Sequence, residues 1–78
     1  MKIIVYAIKS KVKNYIYVGM TQNLAERIHR HNSGRERTTK PYRPFELIYT
    51  EEKSNRVEAR KREKYIKSGD GKAFLKSL

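Results

Sequence analysis

Ile3-Ile4-Val5-Tyr6-Ala7-Ile8, and after a polar break Tyr15-Ile16-Tyr17-Val18-Gly19-Met20, form the stretch that decides the fold. Both runs are rich in β-branched and aromatic side chains and read as strands, while Lys-Ser-Lys-Val-Lys-Asn between them reads as a turn. Strands this close in sequence pair as a hairpin. A turn centred between Lys11 and Val12 puts Tyr6 opposite Tyr17 and Ile4 opposite Gly19. Side chains alternate along a strand, so one face carries Ile4, Tyr6, Ile8, Tyr15, Tyr17 and Gly19, and the other Ile3, Val5, Ala7, Ile16, Val18 and Met20. The second face is aliphatic core. The first is a wall of phenols with a glycine gap. A lone strand tyrosine is ordinarily half-buried with its hydroxyl in water; three on one face mark a candidate site.

Downstream the period changes. Thr21 or Asn23 can cap a helix in which Leu24, Ile28 and His31 recur at i, i+4 and i+7, and Asn32-Ser33-Gly34 ends it. Residues 35–44 form a basic loop holding both prolines, and residues 45–50 a third strand. Asn55 with Glu58 three residues later starts a helix over 56–67. Ser68-Gly69-Asp70-Gly71 breaks that helix, and 72–78 form a short last one with Phe74, Leu75 and Leu78 on one side. The order β-β-α-β-α-α predicts an α+β fold: a small three-stranded sheet, antiparallel or mixed, flanked by about three helices. At this length, residues 1–78 make a single domain.

Nineteen Lys and Arg against eight Asp and Glu give a formal charge of +11. Such an excess repels itself in the folded state and points to a polyanionic partner. The cations recur along the whole chain among tyrosines, which predicts a folded cationic surface rather than a basic tail. There is no cysteine, so disulfides, thiolate metal sites and cysteine nucleophiles are excluded. The apolar run 3–8 is too short for a signal-peptide core or a membrane span, so a cytoplasmic location without a membrane partner is expected.

The second long helix carries an anomaly. Ala59, Glu63 and Ile66 stand at i, i+4 and i+7, which sets a carboxylate in the stripe that should face the core. A charge there needs a cation or a metal beside it. Arg56, Arg60, Lys61, Arg62, Lys64 and Lys67 form that helix's solvated cationic face. On the first helix Arg27 and His31 share a face, and an inward arginine there could hold a phosphate through its planar fork of donors. His29 and His31 are two apart on a helix and diverge, so they are not a metal pair. No glycine-rich phosphate loop, Ser-His-Asp set or carboxylate pair is present. In the basic loop, Arg35, Arg37, Lys40 and Arg43 are candidates for backbone phosphates and Tyr42 for base stacking.

These residues carry a resemblance. Ile4-Val5-Tyr6, followed eleven residues on by Tyr17-Val18-Gly19, resembles the paired motif of the GIY-YIG nuclease family. Leu24-x-x-Arg27-x-x-x-His31-Asn32-Ser33-Gly34 follows at the family's spacing, and Glu58-Ala59-x-x-Arg62-Glu63-Lys64-x-Ile66-Lys67 is similar to its metal-binding helix. The likeness spans essentially the whole chain and is nearest to the short, stand-alone bacterial members of excinuclease-like type. It departs at Ile4, where the motif has Gly, and at Val18, where it has Ile; a late Asn of some homing-type members has no counterpart.

The resemblance implies Tyr6 and Tyr17 as motif tyrosines, Gly19 as the small residue beside them, Arg27 and His31 as catalytic groups, and Glu63 as ligand of Mg²⁺ (or Mn²⁺). A tyrosine, Tyr6 ahead of Tyr17, would take a proton from the attacking water, its phenol brought down toward neutrality by Arg27, the metal and the overall positive field. The expected activity is metal-dependent endonucleolytic hydrolysis of nucleic acid, DNA ahead of RNA, in repair or in processing of structured or single-stranded substrates. The sequence leaves room for a partner protein that supplies targeting. The competing expectations are a non-catalytic basic binding module that keeps the scaffold, and an RNA-coating protein in which Glu63 and Arg27 simply pair.

Overall fold

The computed structural model describes residues 2–78. Strands β1 (Ile3–Ser10), β2 (Ile16–Thr21) and β3 (Phe45–Lys53) form one sheet in the order β2-β1-β3. Both pairings are antiparallel, so the mixed alternative falls away. Helices α1 (Leu24–Asn32), α2 (Arg56–Lys67) and α3 (Gly69–Lys76) complete the fold, with a single 3-10 turn, Lys40–Tyr42, inside the basic loop.

The hairpin register differs from the expected one by two residues. Tyr6 lies opposite Gly19, and Ile8 opposite Tyr17. The reason is Ser10. Its amide donates to the Tyr15 carbonyl (2.9 Å), and its Oγ accepts from the amides of Val12 (3.2 Å) and Lys13 (3.0 Å). A hydroxyl folding the chain back in this way makes a longer loop than the tight turn the sequence suggests.

A shift of two leaves every side chain on its expected face. Ile3, Val5, Ala7 and Val18 pack with Ala59, Ile66 and Leu75 of α2 and α3 in one cluster. Tyr6, Ile8 and Phe45 form the other, with Tyr15, Tyr17 and the Leu24–Ile28 stripe of α1 against them. The sheet is thus sandwiched, aliphatic side to α2 and α3, phenolic side to α1.

Asparagines start both long helices. Asn23 Oδ1 accepts from the Glu26 amide (3.1 Å) and Asn55 Oδ1 from the Glu58 amide (2.9 Å), which is worth about 1 kcal/mol each. Asn23, rather than Thr21, is therefore the cap of α1. Arg62 leaves the solvated face expected for it and reaches across to Glu51 of β3 (2.7 Å).

The last helix begins earlier than the sequence suggests. Ser68 ends α2 and also caps α3, its Oγ accepting from the Gly71 amide (3.3 Å), so Gly69-Asp70-Gly71 is first turn rather than breaker. Gly71 is needed for contact instead. A Cβ there would overlap the Tyr65 carbonyl oxygen and Ile66 Cα, both of them backbone atoms that cannot swing aside. Glycine-to-alanine inside a helix normally gains up to about 1 kcal/mol. Here Gly71→Ala should lose about 1–3 kcal/mol by overpacking. Urea denaturation checks this; a higher midpoint for the variant would contradict the close α2–α3 approach.

Candidate active site

The site is built outward from Tyr6, which is 0% exposed. Its phenol fits because the residue facing it is Gly19: a Cβ there would stand 2.8 Å from the Tyr6 oxygen and 3.0 Å from Tyr17 Cε2. Opposite Tyr6, α1 presents His31, 1% exposed, with Nε2 2.9 Å from the Tyr6 oxygen. His31 Nδ1 in turn lies 2.8 Å from Thr39 Oγ1, and Thr39 Oγ1 lies 3.4 Å from the Glu36 carbonyl oxygen.

The Thr39–Glu36 contact at the end of this chain favours one of its two directions. A carbonyl only accepts, so the Thr39 hydroxyl donates to Glu36 and receives the proton on His31 Nδ1. His31 Nε2 is then bare and accepts from the Tyr6 O–H. Burial holds the imidazole below its ordinary 6.5, opposed by Glu36 and assisted by Arg27 and Arg30, so the ring is neutral at pH 7.

Tyr17 forms the outer wall. It is half-buried, its ring centroid 4.9 Å from His31 and 6.3 Å from Tyr6. Burial, with help from the neighbouring phenol, raises Tyr6 well above its ordinary 10.0; burial raises Tyr17 too. Arg27 favours both phenolates, while Glu36 and Glu63 oppose them. Arg27 alone does not bring either phenol toward neutrality: desolvation outweighs one guanidinium.

Glu63 comes from the opposite face of the sheet. α2 runs beneath it, yet the carboxylate's field reaches Tyr17 and Tyr6, so the site straddles β2, an outer strand of the sheet. The Glu63 side chain is 14% exposed and has only long contacts, 3.7 Å to Arg60 Nε and 3.7 Å to Lys67 Nζ. Those cations are themselves 61% and 52% exposed, so they screen the carboxylate without enclosing it. Arg27 makes no ion pair among the described residues, so the Arg27–Glu63 pairing of the RNA-coating alternative is not found. Among the described residues no three His, Asp or Glu converge as a metal cage. A single, mostly buried carboxylate whose cationic neighbours stay 3.7 Å away suits a hard cation that keeps waters and substrate oxygens as its remaining ligands.

Arg27 lines a cleft of about 260 Å³ between the starts of α1 and α2, together with Arg30, Arg56 and Glu26. None of the five loop candidates lines it. Arg35, Arg37, Lys40 and Arg43 are exposed on the 35–44 segment, Arg43 folding against Gly34. Tyr42 stacks on Tyr15 (centroids 3.9 Å, planes 11° apart), with Lys13 Nζ 5.4 Å from its ring centroid, so it is engaged within the protein. The loop is structured, its Thr39 buried and its Glu36 paired with Arg30 at 3.0 Å. Thr39 and Glu36 escape the sequence reading because no periodicity links a loop threonine to a histidine eight residues earlier.

A neutral buried histidine gives a pH signature. Its folded pKa lies below the unfolded value, so the unfolded chain takes up the proton first as pH falls. The stability it contributes is present above about 6.5 and declines as pH drops below that toward the folded pKa. Denaturation midpoints at pH 7.5 and 5.5 should therefore differ in the wild type, and differ less in His31→Gln. Equal pH dependence in both would contradict the buried neutral ring.

Comparison with known proteins agrees with this geometry. The GIY-YIG catalytic domain matches residues 2–74. The chain is 40% identical over 75 residues to UPF0213 protein SH2523 of Staphylococcus haemolyticus, covering 95% of this chain and 90% of that protein. It is 40% identical over 63 residues to UPF0213 protein YazA of Bacillus subtilis, covering 80% of this chain and 63% of that one. The solution NMR structure of UPF0213 protein BH0048 from Bacillus halodurans superposes with a TM-score of 0.59 at 32% identity, covering 100% of this chain and 85% of that one. With that match the chain belongs to the GIY-YIG nuclease family, as a short member of its UPF0213 group.

Proposed function

We propose that this protein is a metal-dependent endonuclease that hydrolyses phosphodiester bonds in DNA. The observation that carries the reading is the Tyr6–His31–Thr39 hydrogen-bonded chain, set beside Arg27, which makes no ion pair among the described residues, and Glu63, whose cationic neighbours stand 3.7 Å away. Such a chain satisfies its own buried polar groups and is also the path a proton-transfer site uses.

The raised phenol changes how the base works. A free Tyr6 phenolate is disfavoured by burial and its hydroxyl is sealed, so Tyr6 acts as a base only when substrate binding admits a water to its oxygen, which then gains a proton as its own passes to His31 Nε2. The bare Nε2 lies at hydrogen-bond distance, and no isolated charge is left on the phenol. Thr39 holds the imidazole in the tautomer that can receive that proton. Tyr17, on the solvent side, orients the water and the phosphate. Arg27 neutralises charge developing on the phosphoryl oxygens. Glu63 is the residue that would hold Mg²⁺ or Mn²⁺. When bound, such an ion supplies Lewis-acid stabilisation of the phosphoryl and leaving oxygens.

The test is a cleavage assay on single-stranded, duplex, nicked and branched DNA, with matching RNAs, with and without Mg²⁺. Tyr6→Phe, Arg27→Ala and Glu63→Ala should each lower the rate by about 10²-fold or more. Metal-dependent cleavage that survives both Tyr6→Phe and Glu63→Ala would overturn the assignment. Salt-sensitive binding with no product from the wild type would instead identify a binding module on the same scaffold.

A further inference from the structure

β2 is paired only with β1, so one of its edges is free, and the two free edges of the sheet carry opposite charge. Along β3 stand Glu46, Glu51 and Glu52, three of the eight acidic residues in the chain. Along β2 the neighbouring charges are mainly cationic, Glu26 and Glu63 being acidic exceptions. Beyond Tyr17, away from Arg27, a groove of about 390 Å³ opens between Tyr15, Tyr17 and Val18 on one side and Lys67 and Lys72 on the other. It continues into a smaller cleft of about 150 Å³ at Asn14, walled by Lys72 and Lys76. Among the described residues no acidic side chain lines either part. At the other end of β2 lies the arginine cleft of Arg27, Arg30 and Arg56.

Lysines on a free strand often serve only to block edge-to-edge pairing. That explanation would ask the same of β3, the longer strand, whose exposed side chains are Glu46, Leu47, Thr50 and Glu52, with no lysine among them. The cations instead come from two different helices, α2 and α3, and converge on one groove that starts at the proposed reacting centre. A positive groove with aromatic walls is the way proteins track a nucleic-acid strand through its phosphates. At about 3.3 Å per residue, the six residues of β2 span roughly 20 Å, room for several nucleotides. The unpaired amides of the strand edge add neutral donors for phosphate oxygens.

We propose that the free edge of β2 is the track of the substrate strand, with Lys67, Lys72 and Lys76 holding phosphates on one side of the cut and Arg30 and Arg56 on the other. The inference rests on the nuclease reading for the position of the cut, and relocates backbone binding from the 35–44 loop to α2 and α3.

The experiment measures binding of a fluorescein-labelled single-stranded 16-mer in EDTA, where no metal-dependent cutting occurs, as a function of salt. Lys72→Gln/Lys76→Gln is compared with Lys2→Gln/Lys53→Gln, which removes the same charge from the β3 side, and with Arg35→Gln/Arg37→Gln. All six positions are surface cations. The groove pair should weaken binding most and reduce the slope of log K against log salt by about 1.4, the value for two single-strand phosphate contacts. Equal losses in the groove and β3-side pairs, or a larger loss in the loop pair, would overturn the track. A selective groove effect in a wild type that never cuts would sustain the track and remove the nuclease reading. Cutting with no selective groove effect would do the reverse.

Discussion

The contact between the Tyr6 hydroxyl and His31 Nε2 is the constraint around which this small protein is arranged. Both groups are sealed from solvent, and a polar pair in that position is tolerable only when each atom has its partner. Satisfying Tyr6 requires His31 at the end of α1, which sets how that helix lies on the sheet. Satisfying His31 requires Thr39, which draws the basic loop down onto the same face. Admitting the phenol at all requires the missing side chain at Gly19. No buried side-chain nitrogen or oxygen among the described residues is left without a partner, so the arrangement is complete as it stands.

A second constraint is topological. The sheet has only three strands, so the strand that carries Tyr17 is also an edge. Groups from α1 on one face and α2 on the other can meet there without passing through the core. This is how Arg27 and Glu63, on opposite sides of the sheet, come to act on the same two phenols. The arrangement keeps the carboxylate at the rim, where a cation and solvent can reach it, and keeps the phenol–imidazole pair dry.

Much of this was legible in the sequence, for identifiable reasons. Period-two alternation assigned the two faces of the hairpin correctly although the register was off, because a two-residue slip preserves facing. Glu63 announced itself as a charge in a helical core stripe, between Ala59 and Ile66 that are fully buried. The register itself depends on one hydroxyl, Ser10, and the start of α3 on another, Ser68; a serine in sequence does not disclose which amide it will receive. The upward shift of Tyr6 was not legible, since the net charge of the chain argues the other way. Depth of burial decides it, and burial is a property of the fold.

The proposed chemistry turns on which way the protons point between Tyr6, His31 and Thr39. Long-range ¹H–¹⁵N correlation NMR of the His31 ring reads this directly. Near pH 7 the hydrogen-bonded chain predicts a neutral imidazole with Nδ1 protonated and Nε2 bare. A ring protonated on Nε2, or an imidazolium, would mean that His31 cannot receive the Tyr6 proton, and would contradict the mechanism at its centre.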